Sequence, residues 1–370
     1  MTRMLAIVER ELRKFFRSPA LMLVAMVFPL IQLIILGNAF GGKIRDAHMG
    51  IVDEDHGEQA VRIKEAFDAV AANIRTFTPV YYTDEQKVKE DVREGRLDGA
   101  VIIPRQFTRK VLAGDNPQLG LVVDNSDQFM SSSLEQEMKA LTDSLNKPQI
   151  QPRLPDQIAL EVVELYPYIE YMKYLLPGSI SLAMFVSVMI GGGMLYIDDK
   201  ARGVHEGYLV TPITKTELVL GLNIAGALKA IMAGVVITII GSLIAGIGVL
   251  FDPMRMLQLL LMIAATALAF NAMMFLLMVR VEDPLVPRAT FGILNTLLFF
   301  PSGAIYPVHA FPPWLAAIAW VDPFSYAVHG FKSILLKQAG FVAIRSDLLV
   351  LCVFGAVTLL CGTLLFKRTL

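Results

Sequence analysis

The sequence predicts an α-helical membrane protein with six transmembrane helices and an extracytoplasmic α/β domain inserted between the first and the second. The mean hydropathy is +0.55 and 55% of the residues are hydrophobic, which is more apolar than an ordinary soluble domain. Six stretches each supply the about 20 apolar residues that cross a bilayer. A long polar block separates the first stretch from the second, and it alternates strand and helix patterns.

The chain divides into four predicted parts. Residues 1–18 form a cytoplasmic amphipathic interfacial helix, in which Leu5, Val8, Leu12 and Phe15 recur at helical spacing. That helix either anchors the chain at the inner membrane surface or helps to cradle a cytoplasmic partner, and the pattern favours neither. Residues 19–40 are the first span, 41–167 the extracytoplasmic domain and 168–370 a five-helix membrane domain. The six predicted spans are Pro19–Phe40, Tyr171–Ile197, Leu218–Leu250, Met256–Val279, Ala289–Tyr306 and Leu348–Phe366.

The polar block has the pattern of a small α/β domain with a parallel or mixed sheet. Short apolar strands at Met49–Val52 and Gly99–Ile103 alternate with helices such as Glu58–Ala72. The block contains no cysteine, so its core must hold it together. The run Asp53–Gly57 resembles the opening of a calcium loop but lacks the closing glutamate, and a strand end followed by a helix cap explains it better.

Lysine and arginine residues predict the orientation. They concentrate before the first span, in the loops after the second and fourth spans and at the carboxyl end. The positive-inside rule therefore puts both termini in the cytoplasm and residues 41–167 outside. The stretch 300–334 is apolar, rich in proline and aromatic residues and too broken for a straight helix, which predicts an outer re-entrant segment. Its marking residues are Tyr306, Pro307, Pro313, Trp314 and Pro323.

Polar residues inside the predicted spans are candidates for a translocation pathway. Asn223, Asn271 and Asn295 could line it, although hydrogen bonds between helices account for each of them equally well. Lys229 is the charge within the third span. A charge in a membrane segment is a functional candidate, but snorkelling to the inner headgroups is the interpretation that we favour here.

The sequence lacks the motifs of a catalytic subunit. No G-x-x-x-x-G-K-[ST] run is present, so the chain carries no nucleotide-hydrolysing loop, and we predict no catalytic, cofactor-binding or metal-binding residue. The 33 basic residues nearly balance the 34 acidic ones, so nothing suggests nucleic acid as a partner.

Three motifs carry a family resemblance. The first is the predicted inner loop at 199–217, with a charged, glycine-containing run and a Thr-Pro turn before the next helix; its matching residues are Arg202, Gly203, Glu206, Val210, Thr211, Pro212, Glu217 and Leu218. The second combines Ser302–Pro307, Phe311–Trp314 and Asp322–Tyr326, and the third is Arg17–Pro19. In this order the chain resembles the permease subunits of ABC exporters of the drug and polysaccharide branch. It departs from the pattern at Val204 and at Gly207-Tyr208.

The resemblance implies a permease without a cofactor of its own, which forms the pathway for an amphipathic drug, lipid or peptide. Two copies, or two related permeases, would be clamped by separate cytoplasmic ATPase subunits that bind ATP and magnesium. It also implies the bacterial plasma (inner) membrane and allows for a periplasmic adaptor. In the loop at 199–217, Arg202, Gly203, Glu206, Thr211, Pro212 and Glu217 would couple the chain to the ATPase. The alternative is a six-span receptor or assembly anchor with an extracytoplasmic binding domain and no pumping.

Overall fold

The computed structural model consists of two compact units. One unit, here the helical unit, comprises Met1–Gly41 and Glu164–Leu370, and the other, the α/β unit, comprises Gly42–Val163. The described residues are 2–41, 47–73, 77–115, 117–124, 128–146, 169–193, 197, 199, 202–204, 207, 211–248, 252–281, 283 and 285–366.

The helical unit is made of long apolar helices joined by short connections. Its helices are α1 Thr2–Phe16, α2 Pro19–Gly41, α7 Tyr171–Val188, α8 Lys215–Ala245, α9 Pro253–Met278, α10 Leu285–Phe299, α11 Pro313–Val321, α12 Pro323–Leu335 and α13 Phe341–Leu365. Four of them, α7, α8, α9 and α13, are long and apolar enough to cross a membrane, and α2 contains a shorter apolar stretch, Met22–Asn38.

Several helix ends differ from the predicted spans for local reasons. The helix α8 stops at Ala245 instead of Leu250, because Gly246 adopts a left-handed conformation with φ of 67° and its amide bonds back into the last turn. The helix α10 stops at Phe299, before Pro301, whereas we predicted a span to Tyr306. The helix α13 starts at Phe341, seven positions earlier than predicted, directly after Gly340. Apolar runs locate helices well, but their ends depend on caps and turns.

The helix α7 ends in an irregular turn that the sequence did not predict. Met189–Gly193 form a π-helix directly after Val188. Such turns insert an extra residue into the helical ladder, so they are costly in isolation and are found mostly at functional sites.

Aromatic side chains from four helices form the centre of the helical unit. The rings of Phe270 on α9 and Phe324 on α12 stack with centroids 4.7 Å apart. Phe185 on α7 and Phe299 on α10 meet Phe324 edge-on at 5.5 and 6.0 Å. Offset-stacked and edge-to-face pairs are the favourable arrangements of aromatic quadrupoles, so this cluster fixes the four helices to one another.

The α/β unit contains a four-stranded mixed sheet. Its elements are β1 Ala47–Asp53, α3 Glu58–Asn73, β2 Phe77–Tyr82, α4 Glu85–Arg93, β3 Gly99–Ile103, α5 Phe107–Leu112, β4 Gly120–Val123 and α6 Gln128–Asn146. The strand order is β2-β1-β3-β4. The strand β1 pairs in parallel with β2 and β3, with Ile51 opposite Tyr81 and Val101, and β4 pairs antiparallel with β3.

The sheet buries an apolar layer on each face. Met49, Ile51, Val101 and Ile103 pack with Phe67 on one face, and Val52 with Val88, Val92, Leu97 and Ala100 on the other. Alternation along β1 and β3 supplies both layers, since successive side chains of a strand point to opposite faces.

The acidic run after β1 is used within the α/β unit. Asp53 pairs with Lys64 at 2.6 Å and accepts the backbone amides of Asp55 and His56. Asp55 accepts hydrogen bonds from the backbone and hydroxyl of Thr108. Among the described residues, no group of three or more metal-ligating side chains is found.

Candidate coupling site

The start of α8 is capped by its own sequence. Thr214 accepts the amide of Glu217 at 3.3 Å, and the Glu217 carboxylate accepts the Thr214 amide at 3.0 Å. This reciprocal capping box satisfies two amides that a helix end leaves without intrahelical partners. Glu217, which we predicted to contact an ATPase, therefore has a local structural role here.

The other loop residues named from the sequence lie on exposed backbone. Arg202, Gly203 and Val204 form an exposed turn, in which Gly203 has φ of 71°. Thr211 and Pro212 are also exposed, and the Pro212 carbonyl accepts a hydrogen bond from Arg3 of α1. Glu206 lies outside the described residues. Arg202 and the turn at Gly203 thus face outward, and Pro212 contacts α1.

The helix α1 packs its apolar stripe on the first turns of α8. Ile7 lies in one buried cluster with Leu218, Val219 and Leu222. A Cβ at Gly221 would lie 3.1 Å from that of Ile7, so the glycine allows the two helices to approach closely. Of the face that we predicted, Val8 and Phe15 are buried but Leu5 is 56% exposed. The buried stripe is 7, 8, 11 and 15, a spacing that suits one helix face.

The stripe includes a buried carboxylate, Glu11, opposite a buried lysine. Glu11 is 0% exposed and Lys229 on α8 is 2% exposed, and their charged groups are 3.2 Å apart. Lys229 Nζ also donates to the carbonyl of Gly191 in the π-helix at 2.9 Å. The ring of Phe15 lies 5.7 Å from the same ammonium, within range of a cation–π interaction. We predicted that Lys229 snorkels to the headgroups, and this was wrong: its ammonium is enclosed by protein.

A second carboxylate extends this cluster toward the predicted loop. Asp199 is 1% exposed and lies 2.5 Å from Arg10 and 3.4 Å from Lys14, both on α1. Arg10 also lies 3.1 Å from Glu11. Two acidic and three basic groups thus alternate across α1, the loop and α8. Glu11, Asp199 and Lys229 are buried, whereas Arg10 and Lys14 are 36% and 40% exposed. Buried charges are costly without a partner, so these contacts hold the three chain segments together.

Two of the three asparagines predicted as pathway candidates form a hydrogen bond between helices. Asn271 on α9 donates to the side-chain oxygen of Asn223 on α8 at 2.9 Å and to its backbone carbonyl at 3.0 Å. Asn223 donates back into its own helix, to Val219. A crevice of about 280 Å³ borders Asn223 between α8, α9 and α13. Asn295 lies apart on α10, with an enclosed side-chain oxygen that accepts no hydrogen bond from the described residues.

The predicted re-entrant segment is a pair of short helices after a tight turn. Pro307 precedes a 3-10 turn, and Pro313 and Pro323 occupy the first positions of α11 and α12. Proline suits that position because the missing amide has no intrahelical partner. Tyr306 and Trp314 are exposed, 57% and 67% respectively.

A partly buried lysine fastens the turn. Lys332 on α12 donates to the carbonyl of Gly303 at 2.6 Å, and its ammonium lies 3.5 Å from the centre of the Tyr174 ring on α7. Because Gly303 has φ of 80°, a residue with a side chain would be strained there.

The ionic cluster could have been suspected from two sequence signals. A lysine inside an apolar run marks a functional candidate, and Glu11 falls on the same helical stripe as Val8 and Phe15. The two residues are separated by 218 positions, and no local pattern links them.

Long apolar helices, with a capped helix after an exposed loop and an amphipathic helix packed on that junction, indicate a multi-pass membrane protein. The chain matches the model of the ABC-2 family transporter proteins over residues 19–364 and belongs to that family. It is 24% identical to the probable multidrug ABC transporter permease YbhR of Escherichia coli (strain K12) over 99% of this chain and 98% of that protein. It is 21% identical to the probable multidrug permease YbhS of the same organism over 90% and 88% of the two chains.

A third relative is ABC transporter G family member 20 of Dictyostelium discoideum, which is 21% identical over 90% of this chain and 46% of its own length. The chain is therefore a multi-pass membrane protein and a transport permease subunit that works with ATPase subunits.

Proposed function

We propose that this permease exports an amphipathic drug, lipid or peptide, driven by separate cytoplasmic ATPase subunits. The observation that carries the proposal is the junction of α1, the loop and α8. The loop exposes a charged turn, while the residues behind it are fixed by the capping box and by the buried ionic cluster. A surface of this kind can receive force from a partner and pass it to a long membrane helix.

The proposed topology has six spans, α2, α7, α8, α9, α10 and α13, with both termini in the cytoplasm. The α/β unit then lies outside, between the first and second spans, and α11 and α12 form the outer re-entrant segment. The positive-inside rule supports this orientation. The exposed rings of Tyr306 and Trp314 agree with it, since amphipathic aromatic residues favour the membrane interface. In a bacterium, the membrane would be the inner one.

A second permease, identical or related, is the partner that we propose for the helix α10. Leu285, Ile293 and Leu297 on this helix are at least 48% exposed, and Asn295 between them is partly exposed. Asparagine side chains stabilise helix pairs in membranes by bonding across the interface. A periplasmic adaptor is the further partner that we propose for the α/β unit.

We propose the loop at 199–217 as the ATPase contact, with Arg202 and Glu206 as its charged residues. Arg202 stands in the exposed turn at 202–204, where Gly203 has φ of 71°, so its guanidinium is accessible to a partner. Loss of one partner from a desolvated charge pair costs about 2–5 kcal/mol. Reversing either charge should therefore separate ATP hydrolysis from transport while leaving insertion intact.

The test is transport into inverted vesicles that contain the permease and its ATPase, measured on a panel of drugs, lipids and peptides. The Glu206→Lys and Arg202→Glu variants should be expressed and inserted but should transport poorly. The matched control is Arg280→Glu, a charge reversal at an exposed residue after α9. If both loop variants transport at the wild-type rate, the loop is not the coupling element.

A further inference from the structure

We propose that Lys229 is a positioning residue for transport, which transmits movement of α1 and the loop to the π-helix at the end of α7. This inference rests on the proposed export function. Its basis is one ammonium group that contacts two separate segments of the chain. Its nitrogen lies 3.2 Å from the carboxylate of Glu11 on α1 and 2.9 Å from the carbonyl oxygen of Gly191.

The two contacts connect separate parts of the helical unit. Glu11 belongs to a helix that also reaches the loop, through Arg3 to the Pro212 carbonyl and through Arg10 to Asp199. Gly191 belongs to the π-helix Met189–Gly193. A displacement of the loop would therefore move α1, and the buried ammonium would carry that displacement to the end of α7.

The fit around Lys229 makes the connection stiff. A Cβ on Gly191 would lie 2.8 Å from Cδ of Lys229, so the lysine stem lies directly on the backbone of the π-helix. The remaining space is filled by Phe15, whose ring faces the ammonium at 5.7 Å. Close-packed groups transmit displacement because they cannot absorb it by local rearrangement.

Stability alone does not explain why an ion pair occupies this place. Replacing a buried ion pair with apolar residues of similar volume is often neutral or stabilising, whereas removing one partner is strongly destabilising. What the pair adds is a fixed geometry, because the ammonium must face both the carboxylate and the carbonyl. A π-helix is also a rare element that occurs frequently at functional sites.

The test separates this role from a purely structural one. Lys229→Met leaves Glu11 buried without its lysine, and the permease–ATPase complex should melt at a lower temperature than wild type. The double variant Glu11→Leu with Lys229→Met removes both charges and should recover most of that melting temperature. We expect both variants to keep ATP hydrolysis and to lose about tenfold in substrate transported per ATP. A double variant that melts and transports like wild type would overturn the proposal.

A glycine pair provides a second, independent perturbation. Gly191→Ala should displace the lysine stem and reduce transport per ATP, whereas Gly248→Ala, whose added Cβ meets nothing within 4 Å, should not. Equal transport by the two variants would contradict the proposed contact.

One further measurement tests the role of Lys229 without measuring transport. If no substrate on the panel is transported, that result counts against the export function alone. An Ile190→Cys variant, in a background with Cys352 and Cys361 replaced by serine, carries a thiol label beside Gly191. Vanadate trapping of the ATPase should change its labelling rate in the otherwise wild-type chain and should have no effect in the Glu11→Leu, Lys229→Met background. The same change in both backgrounds, or no change in either, would refute transmission through Lys229.

Discussion

The hydrogen bond between Asn223 and Asn271 can be weighed by a double-mutant cycle. The perturbation is leucine at either position and at both. Asn271→Leu removes both bonds that this side chain donates to Asn223, and Asn223→Leu removes one of them, since the backbone carbonyl stays. We therefore expect Asn271→Leu to be the more disruptive in bonds lost. Part of that loss is offset, because the Asn271 side-chain oxygen accepts no hydrogen bond from the described residues and its removal relieves a buried unpaired group.

The expected magnitude follows from the geometry. Hydrogen bonds between membrane helices contribute on average about 0.6 kcal/mol and at most about 1.7 kcal/mol. The shared bond here is short, at 2.9 Å, and both residues are buried. We expect a coupling energy of about 1 kcal/mol between the two sites, so the double variant should be more stable than the sum of the single changes indicates.

The assay is SDS-induced unfolding of the purified permease in detergent, followed by circular dichroism, alongside transport in vesicles. Thr266→Val on the same helix is the matched control, because this buried hydroxyl bonds to none of the described residues and its loss should be neutral or stabilising. A coupling energy near zero together with lost transport would refute the reasoning. The two asparagines would then line a pathway, as the sequence also allowed.

Three further predictions concern the topology and the α/β unit. A cysteine at Asp98 should react with a membrane-impermeant maleimide in intact spheroplasts and one at Lys215 should not; equal labelling would reverse the orientation. The α/β unit expressed alone should be soluble with mixed circular dichroism, and Phe67→Ala should lower its free energy of unfolding by about 3–5 kcal/mol, because Phe67 is fully buried 5.7 Å from a second ring; a loss below 1 kcal/mol in urea unfolding would contradict this packing. Burial alone would raise the pKa of Asp53, but hydrogen bonds from Lys64 and two backbone amides outweigh it and lower that pKa. Its stabilisation should therefore be present above the ordinary carboxyl pKa of about 3.9 and fade as the pH falls below it, and thermal melts of Asp53→Asn should depend less on acid than those of wild type.

The parts of the fold that the sequence predicted are those that depend on local patterns of residues. Apolar runs gave the positions of α2, α7, α8, α9 and α13, because the need to satisfy every backbone group in lipid makes such runs helical. The strand–helix alternation between them likewise appears in the α/β unit as a mixed sheet. Both patterns extend over short stretches of neighbouring residues, so they can be recognised in a single sequence.

Contacts between segments that are far apart in the sequence could not be predicted from such local patterns. Lys229 looked like a snorkelling residue because nothing near it in sequence could neutralise it, and its partner Glu11 lies on another helix. The asparagines of α8 and α9 look the same in sequence whether they face a pathway or each other. The π-helix after Val188 contacts α8 through Lys229, 38 residues further along the chain.

In the loop before α8, the sequence contained a local signal for the helix cap. Thr214 and Glu217 could have been identified as a capping box, since a Thr followed by a Glu three residues later is its sequence signature. We instead named Glu217 as a partner contact. The structure assigns the cap to Thr214, one residue before α8 begins.

The distance along the chain between Glu11 and Lys229 also has a consequence for the order in which the protein folds during synthesis. The carboxylate leaves the ribosome 218 residues before the ammonium that neutralises it. At 5–20 residues per second, that interval is about ten to forty seconds. Throughout it the partner of Glu11 is Arg10 on the same helix, 3.1 Å away and 36% exposed, because Lys229 has not yet been made. The final position of α1, with Glu11 against Lys229, can therefore form only after α8 has been synthesised.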